Sequence, residues 1–103
     1  MRVYIPPYAK RAAEEALLLR QRLPRHLRFG IEKKQAEAQG IFSGVERAKL
    51  LIRQKYLSEN DAKRVAAFYN RYKGRHSFKV DGALGLWGGR KFGQYLVSKI
   101  KRL

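Results

Sequence analysis

The sequence predicts an all-α fold, a compact bundle of four to five helices forming a single small basic domain over residues 1–103. Three observations predict it. Apolar residues recur at helical spacing in several separate stretches. Serines stand where helix N-caps belong. Proline and glycine punctuate the ends of those stretches, at Pro24, Gly74 and Gly88-Gly89.

The first helix opens at Pro6-Pro7, because proline suits a first turn whose N–H has no helical partner. Through "YAKRAAEEALLLRQRL" the stripe is Ala9, Ala12, Ala13, Ala16, Leu17 and Leu23, with Leu18 and Leu19 broadening it, and Pro24 stops it. Its polar face mixes Lys10, Arg11, Glu14, Glu15, Arg20 and Arg22. Residues 25 to 42 hold a thinner pattern between Gly30 and Gly40, read as a short helix in "IEKKQAEA" or an irregular connector.

A helix-turn-helix-like pair follows, over about 44–55 and 59–73. Ser43 with Glu46 three residues on is a capping box. Val45, Ala48, Leu51 and Ile52 make the first apolar stripe. Ser58 caps the second helix, Asp61 sits at its third position, and Leu57 is placed to staple onto Ala62. Val65, Ala66, Tyr69 and Tyr72 form its buried stripe, with Phe68 adjoining. The connection is only three or four residues, so the chain must reverse or cross sharply. After Gly74, "RHSFKVDGALGL" reads as a loop with a short extended piece at 78–80. A last helix runs from about Gly89, with Phe92, Leu96 and Ile100 at i, i+4 and i+8.

Charge points to function. There are 24 Lys+Arg against 8 Asp+Glu, a formal net charge of +16. Solubility asks for a magnitude of only about 2–8, and self-repulsion at this level destabilises a compact chain unless a polyanion answers it. A nucleic acid is the favoured partner, DNA ahead of RNA. A plain solvated basic surface and an anionic membrane surface are the alternatives. No apolar run reaches the roughly 18 residues of a membrane span, and "MRVYIPPYAK" lacks the apolar core of a signal peptide.

Enzymatic groups are sparse. With no cysteine, disulfides, thiolate nucleophiles and cysteine-bound zinc are excluded. His26 and His76 both sit beside arginines in loop-like segments. Glu46, Glu59 and Asp61 fall in first helical turns, where a carboxylate answers the helix dipole. Glu32-Lys33-Lys34 and Asp61-Ala62-Lys63 have the acid-x-Lys look of some nuclease sites, but no second acidic cluster accompanies them. "GALGLWGGRKFG" fails the spacing of both the P-loop and the dinucleotide fingerprint. It reads as a tight turn that seats Trp87 and launches the last helix. No catalytic role, cofactor or metal is expected.

The candidate nucleic-acid-binding residues fall in two groups. The 59–73 helix offers a polar face of Asn60, Lys63, Arg64, Ala67, Asn70 and Arg71. In a major groove, Arg64 would fork onto guanine and Asn60 or Asn70 would pair with adenine, while Lys63 and Arg71 would hold phosphates. The second group is Arg75, Lys79, Arg90, Lys91, Lys99, Lys101 and Arg102, suited to sequence-independent backbone attraction. Arg90 and Lys91 together are the expected polyanion contact after the Trp87 turn. Phe78, Trp87 and Tyr95 lie among these cations. Stacking on unpaired bases is one reading of them, and core packing the simpler one.

Gly44, Val45, Arg47, Ala48 and Lys49, then Leu57, Ser58, Arg64, Phe68, Arg71 and Tyr72, then Leu86, Trp87, Gly88, Gly89 and Gly93 resemble the pattern of small helical domains encoded by bacteriophages and prophages, with L-W-G-G-x-x-G its most specific part. The resemblance covers about two thirds of the chain. It implies a phage setting, in host cytoplasm or virion, and a fold, but no activity. Many members carry Asp after the Gly-Gly, where this chain has Arg90. A virion component, or a binder of host protein whose basic surface meets packaged genome or an acidic partner, is the alternative to DNA binding.

Overall fold

The computed structural model describes residues 2–30, 33–39 and 43–101. It is mostly helical, with one small sheet. In chain order it runs β1 (Arg2–Tyr4), α1 (Pro7–Arg22), a single 3-10 turn (Arg25–Leu27), α2 (Lys33–Gln39), α3 (Gly44–Arg53), β2 (Tyr56–Ser58), α4 (Glu59–Tyr72), α5 (Phe78–Leu86) and α6 (Gly89–Lys101). Six α-helices thus stand among the described residues, where four to five were expected.

The two serine N-caps act as read. Ser43 Oγ accepts the Glu46 N–H at 3.2 Å and Ser58 Oγ accepts the Asp61 N–H at 3.1 Å. Pro7 occupies the first position of α1. At the other end of α3, the ammonium of Lys10 donates to the carbonyls of Leu51 (3.0 Å), Ile52 (3.2 Å) and Gln54. A cation there satisfies terminal carbonyls and opposes the negative end of the helix dipole. The α1 stripe is narrower than expected: Ala9, Ala13 and Ala16 are buried, whereas Leu18 and Leu19 are exposed. Arg20 takes the next buried position, its Nε donating to the Phe29 carbonyl at 2.8 Å.

Two expectations are corrected. Of the loop expected over 75–86, residues 75–77 are non-helical, whereas 78–86, including the piece expected to be extended at 78–80, form a helix, α5, whose first turn is capped by Ser77 Oγ accepting the Val80 N–H at 3.1 Å. Gly82 and Gly85 lower helix propensity, but they also let neighbours in. A Cβ on Gly82 would stand 2.3 Å from the Phe29 ring. The turn expected between α3 and α4 is extended chain, and it pairs antiparallel with the N-terminal strand: Arg2 opposite Ser58, Val3 opposite Leu57, Tyr4 opposite Tyr56. The helices themselves end slightly early, at Arg53 and Tyr72. Of residues 25–42, 33–39 are helical; Ile31, Glu32 and residues 40–42 lie outside the described residues.

The α1 helix packs against α3, α5 and α6, and α4 lies along α6. Val3, Ile5, Leu51, Leu57, Val65, Leu86, Trp87, Phe92 and Leu96 belong to one buried cluster. The α4–α6 contact depends on Gly93. A Cβ there would lie 2.5 Å from Tyr69 Cγ and 2.6 Å from its Cβ. Those atoms are the root of the side chain and cannot swing aside. Gly93→Ala is therefore expected to destabilise by about 1–2 kcal/mol, overpacking outweighing the gain in helix propensity; urea unfolding checks it.

Candidate nucleic-acid interface

The exposed face of α4 consists of Asn60, Lys63, Arg64, Ala67, Asn70 and Arg71. Apolar burial fixes it: Ala62, Val65 and Ala66 turn inward, so this set must turn out. Lys63 lies 3.9 Å from Glu59, and Arg64 lies 3.7 Å from Asp61. The exposed Lys63–Glu59 pair contributes little and releases its cation readily. Across residues 62–80 there are six Lys/Arg and no carboxylate.

Arg90 gathers the lower part of this region. Its guanidinium donates to the carbonyls of Lys73 (3.0 Å) and Arg75 (2.7 Å) and to Asp81 Oδ1 (2.6 Å). One side chain thus ties the end of α4, the following loop and the first turn of α5 together. The exposed Arg71, Lys73, Arg75 and Lys79 lie on the segments it joins. Arg75 also holds its guanidinium over the Tyr72 ring at 5.8 Å. Arg90 is only 32% exposed in its side chain and is committed to three oxygens. Its position is that of a brace that joins the segments carrying the cations.

Lys91, by contrast, is exposed, its ammonium 4.5 Å above the Tyr8 ring. Lys99 donates to Tyr95 Oη at 3.3 Å, and Lys101 is exposed at the end of α6. Burial, with a smaller contribution from Tyr95, pushes the Tyr8 phenol above its ordinary pKa. The structure thus brings Lys91 and Lys99 beside aromatic rings, while Arg71, Arg75 and Lys79 are exposed on α4, the loop after it and the first turn of α5. Arg102 lies outside the described residues. Lys73 is not in the sequence-based set, although it falls directly at the end of α4 where cations are common.

These positions predict a separation of effects. Arg90→Ala is expected to lower the thermal midpoint by about 4–8 °C, the equivalent of roughly 1 kcal/mol in a domain of this size. Lys91→Ala is expected to stay within about 0.5 kcal/mol of wild type. Parallel thermal melts of the two single variants compare them directly.

His26 and His76 are exposed. The Asp61 carboxylate stands 3.1 Å from Arg47 Nη1, and Glu32 lies outside the described residues. Among the described residues, no three His, Cys, Asp or Glu side chains are grouped to hold a metal, and no helix is long and apolar enough to cross a membrane. The "GALGLWGGRKFG" segment forms the end of α5, a turn and the start of α6. Gly88 and Gly89 have φ of +101° and +89°, a backbone that side-chain-bearing residues rarely adopt. The turn carries Trp87 into the core, 4.3 Å from Phe68 and nearly parallel to it.

Comparison of the chain with protein-family models, curated proteins and solved structures finds no match.

Proposed function

We propose that this domain binds nucleic acid, chiefly duplex DNA, through phosphate contacts made from the exposed face of α4 and the cationic segment that follows it. The observation that carries the reading is the run of residues 62–80, with six cations, no carboxylate and an exposed helical face. A polyanion lined up along that face neutralises charge that the chain otherwise bears as self-repulsion. Lys63, Arg71, Lys73, Arg75 and Lys79 take phosphates. Arg64, Asn60 and Asn70 are the groups with the right donors and acceptors for base edges if α4 enters a major groove. Lys91, Lys99 and Lys101 extend the attraction along α6. The phage setting rests on the resemblance in the L-W-G-G segment and its neighbours.

Affinity for a duplex of about 20 base pairs, measured from 50 to 200 mM salt, tests the proposal. Six or more phosphate contacts predict a loss of about a thousandfold or more across that range. Weak binding insensitive to salt overturns it.

One observation favours a second reading, a virion component or binder of another protein. Leu18, Leu19 and Leu27 are exposed on and just after α1, and exposed apolar groups of that size suit a protein contact. Abundance in purified particles separates the readings, since a DNA-binding regulator is absent from them.

A further inference from the structure

The small sheet carries an aromatic and cationic face that the helical pattern of the chain conceals. Its pleat sends Val3 and Leu57 into the core, where both are fully buried. Tyr4 and Tyr56, directly opposite one another, therefore point outward and remain 48% and 39% exposed. Their rings meet edge to face at 6.1 Å. Arg2 holds its guanidinium 5.0 Å from the Tyr56 centroid, and the Lys55 ammonium lies 5.8 Å from it. Neither chain segment that builds this sheet supplies an acid: residues 1–13 and 47–58 contain no Asp or Glu. Arg2, Arg53 and Lys55 are exposed there.

We infer that this face is a stacking platform for unpaired bases of a single-stranded nucleic acid. Exposed tyrosine rings offer flat π surfaces, and every base has a complementary face whatever its sequence. In a duplex those base faces are covered by their neighbours, so the platform selects single strands. The surrounding cations attract the phosphates that connect the stacked bases, and the guanidinium of Arg2 is itself a plane on which a base can rest. Two rings suit a contact of about two nucleotides, with the strand continuing over Arg53 and Lys55. The platform is independent of duplex binding by α4.

The test uses fluorescently labelled 20-mers of deoxythymidine and of uridine, an abasic deoxyribose-phosphate strand of equal length, a DNA duplex and a poly-glutamate peptide. The wild-type protein is expected to bind the base-bearing single strands at least about tenfold more tightly than the abasic one. Tyr4→Ile with Tyr56→Ile removes the rings and keeps residues that favour strands. It is expected to weaken binding to the base-bearing strands by tenfold or more, leaving abasic and duplex affinities unchanged. Tyr4→Phe with Tyr56→Phe is expected to bind as wild type. The deoxythymidine and uridine arms identify DNA or RNA as the natural strand. Equal affinity for abasic and base-bearing strands overturns the inference, as does full affinity in the isoleucine variant. An equal loss toward poly-glutamate also overturns it, in favour of an acidic peptide. Should the isoleucine pair melt early, the wild-type comparison of abasic with base-bearing strands still decides.

Discussion

Replacing Trp87 with alanine is expected to bring the domain to the edge of unfolding at room temperature. Trp87 is 8% exposed and stacks on Phe68 of α4 at 4.3 Å, with only 5° between the planes. The guanidinium of Arg47, from α3, lies 4.9 Å from the same ring system. One side chain on the turn between α5 and α6 therefore holds two further helices in place. Truncating a buried Trp costs about 3–5 kcal/mol, against a total of roughly 5–15 for an ordinary domain. A chain of 103 residues with net charge +16 belongs toward the lower end of that range. Urea unfolding followed by far-ultraviolet circular dichroism measures the loss. Trp87→Phe keeps a ring in the stack and is expected to retain a cooperative transition. A midpoint in Trp87→Ala close to wild type would falsify the view that this stack organises the fold.

The elements legible in the sequence are those whose signals are local. Pro6-Pro7 and Pro24 bound α1, Ser43 and Ser58 open α3 and α4, and the Phe92–Leu96 spacing marks α6. The sheet had no such signal. Each strand is three residues long, too short to display a period of two, and the partners lie more than fifty positions apart. The α5 helix was hidden by its own glycines, which serve tight packing against Phe29 and Ala16 and so look like loop residues. The exposed face of α4 was readable because it is the complement of a clear apolar stripe. The place of Arg90 was not, because two of its three acceptors are main-chain carbonyls, and any residue supplies those. Arg47 illustrates the same limit in the core. It lies one turn before Leu51 on the inward face of α3, but no local signal marks a cation there as buried before Trp87 and Asp61 are brought beside it.

Removing the Asp61 carboxylate is expected to cost about 3 kcal/mol, the scale for breaking a buried ion pair from one side. Arg47 is fully buried, and its Nη1 stands 3.1 Å from Asp61 Oδ1, while Arg64 lies 3.7 Å away at the surface. Burial lowers the Arg47 pKa, with Asp61 opposing that shift. The sign is that of a base made harder to charge on folding: stability is withdrawn as pH falls below the unfolded guanidinium value, so at neutral pH the desolvation cost is fully in force. Asp61 offsets part of it. Asp61→Ala is therefore expected to act mainly through Arg47, with the helix-dipole contribution of a first-turn acid limited to about 0.3–1 kcal/mol. Glu59→Ala, in the same turn, measures that smaller contribution separately. In the Asp61→Ala background, Arg47→Met exchanges a buried charge for an apolar side chain and is expected to recover stability, although the same change alone leaves a partly buried carboxylate behind. Urea midpoints for the four corners of this cycle give the coupling directly. Simple additivity would assign Asp61 to its helix turn alone. A coupling above about 1 kcal/mol identifies the pair as the link that fixes α4 against α3, and with it the direction in which the cationic face of α4 points.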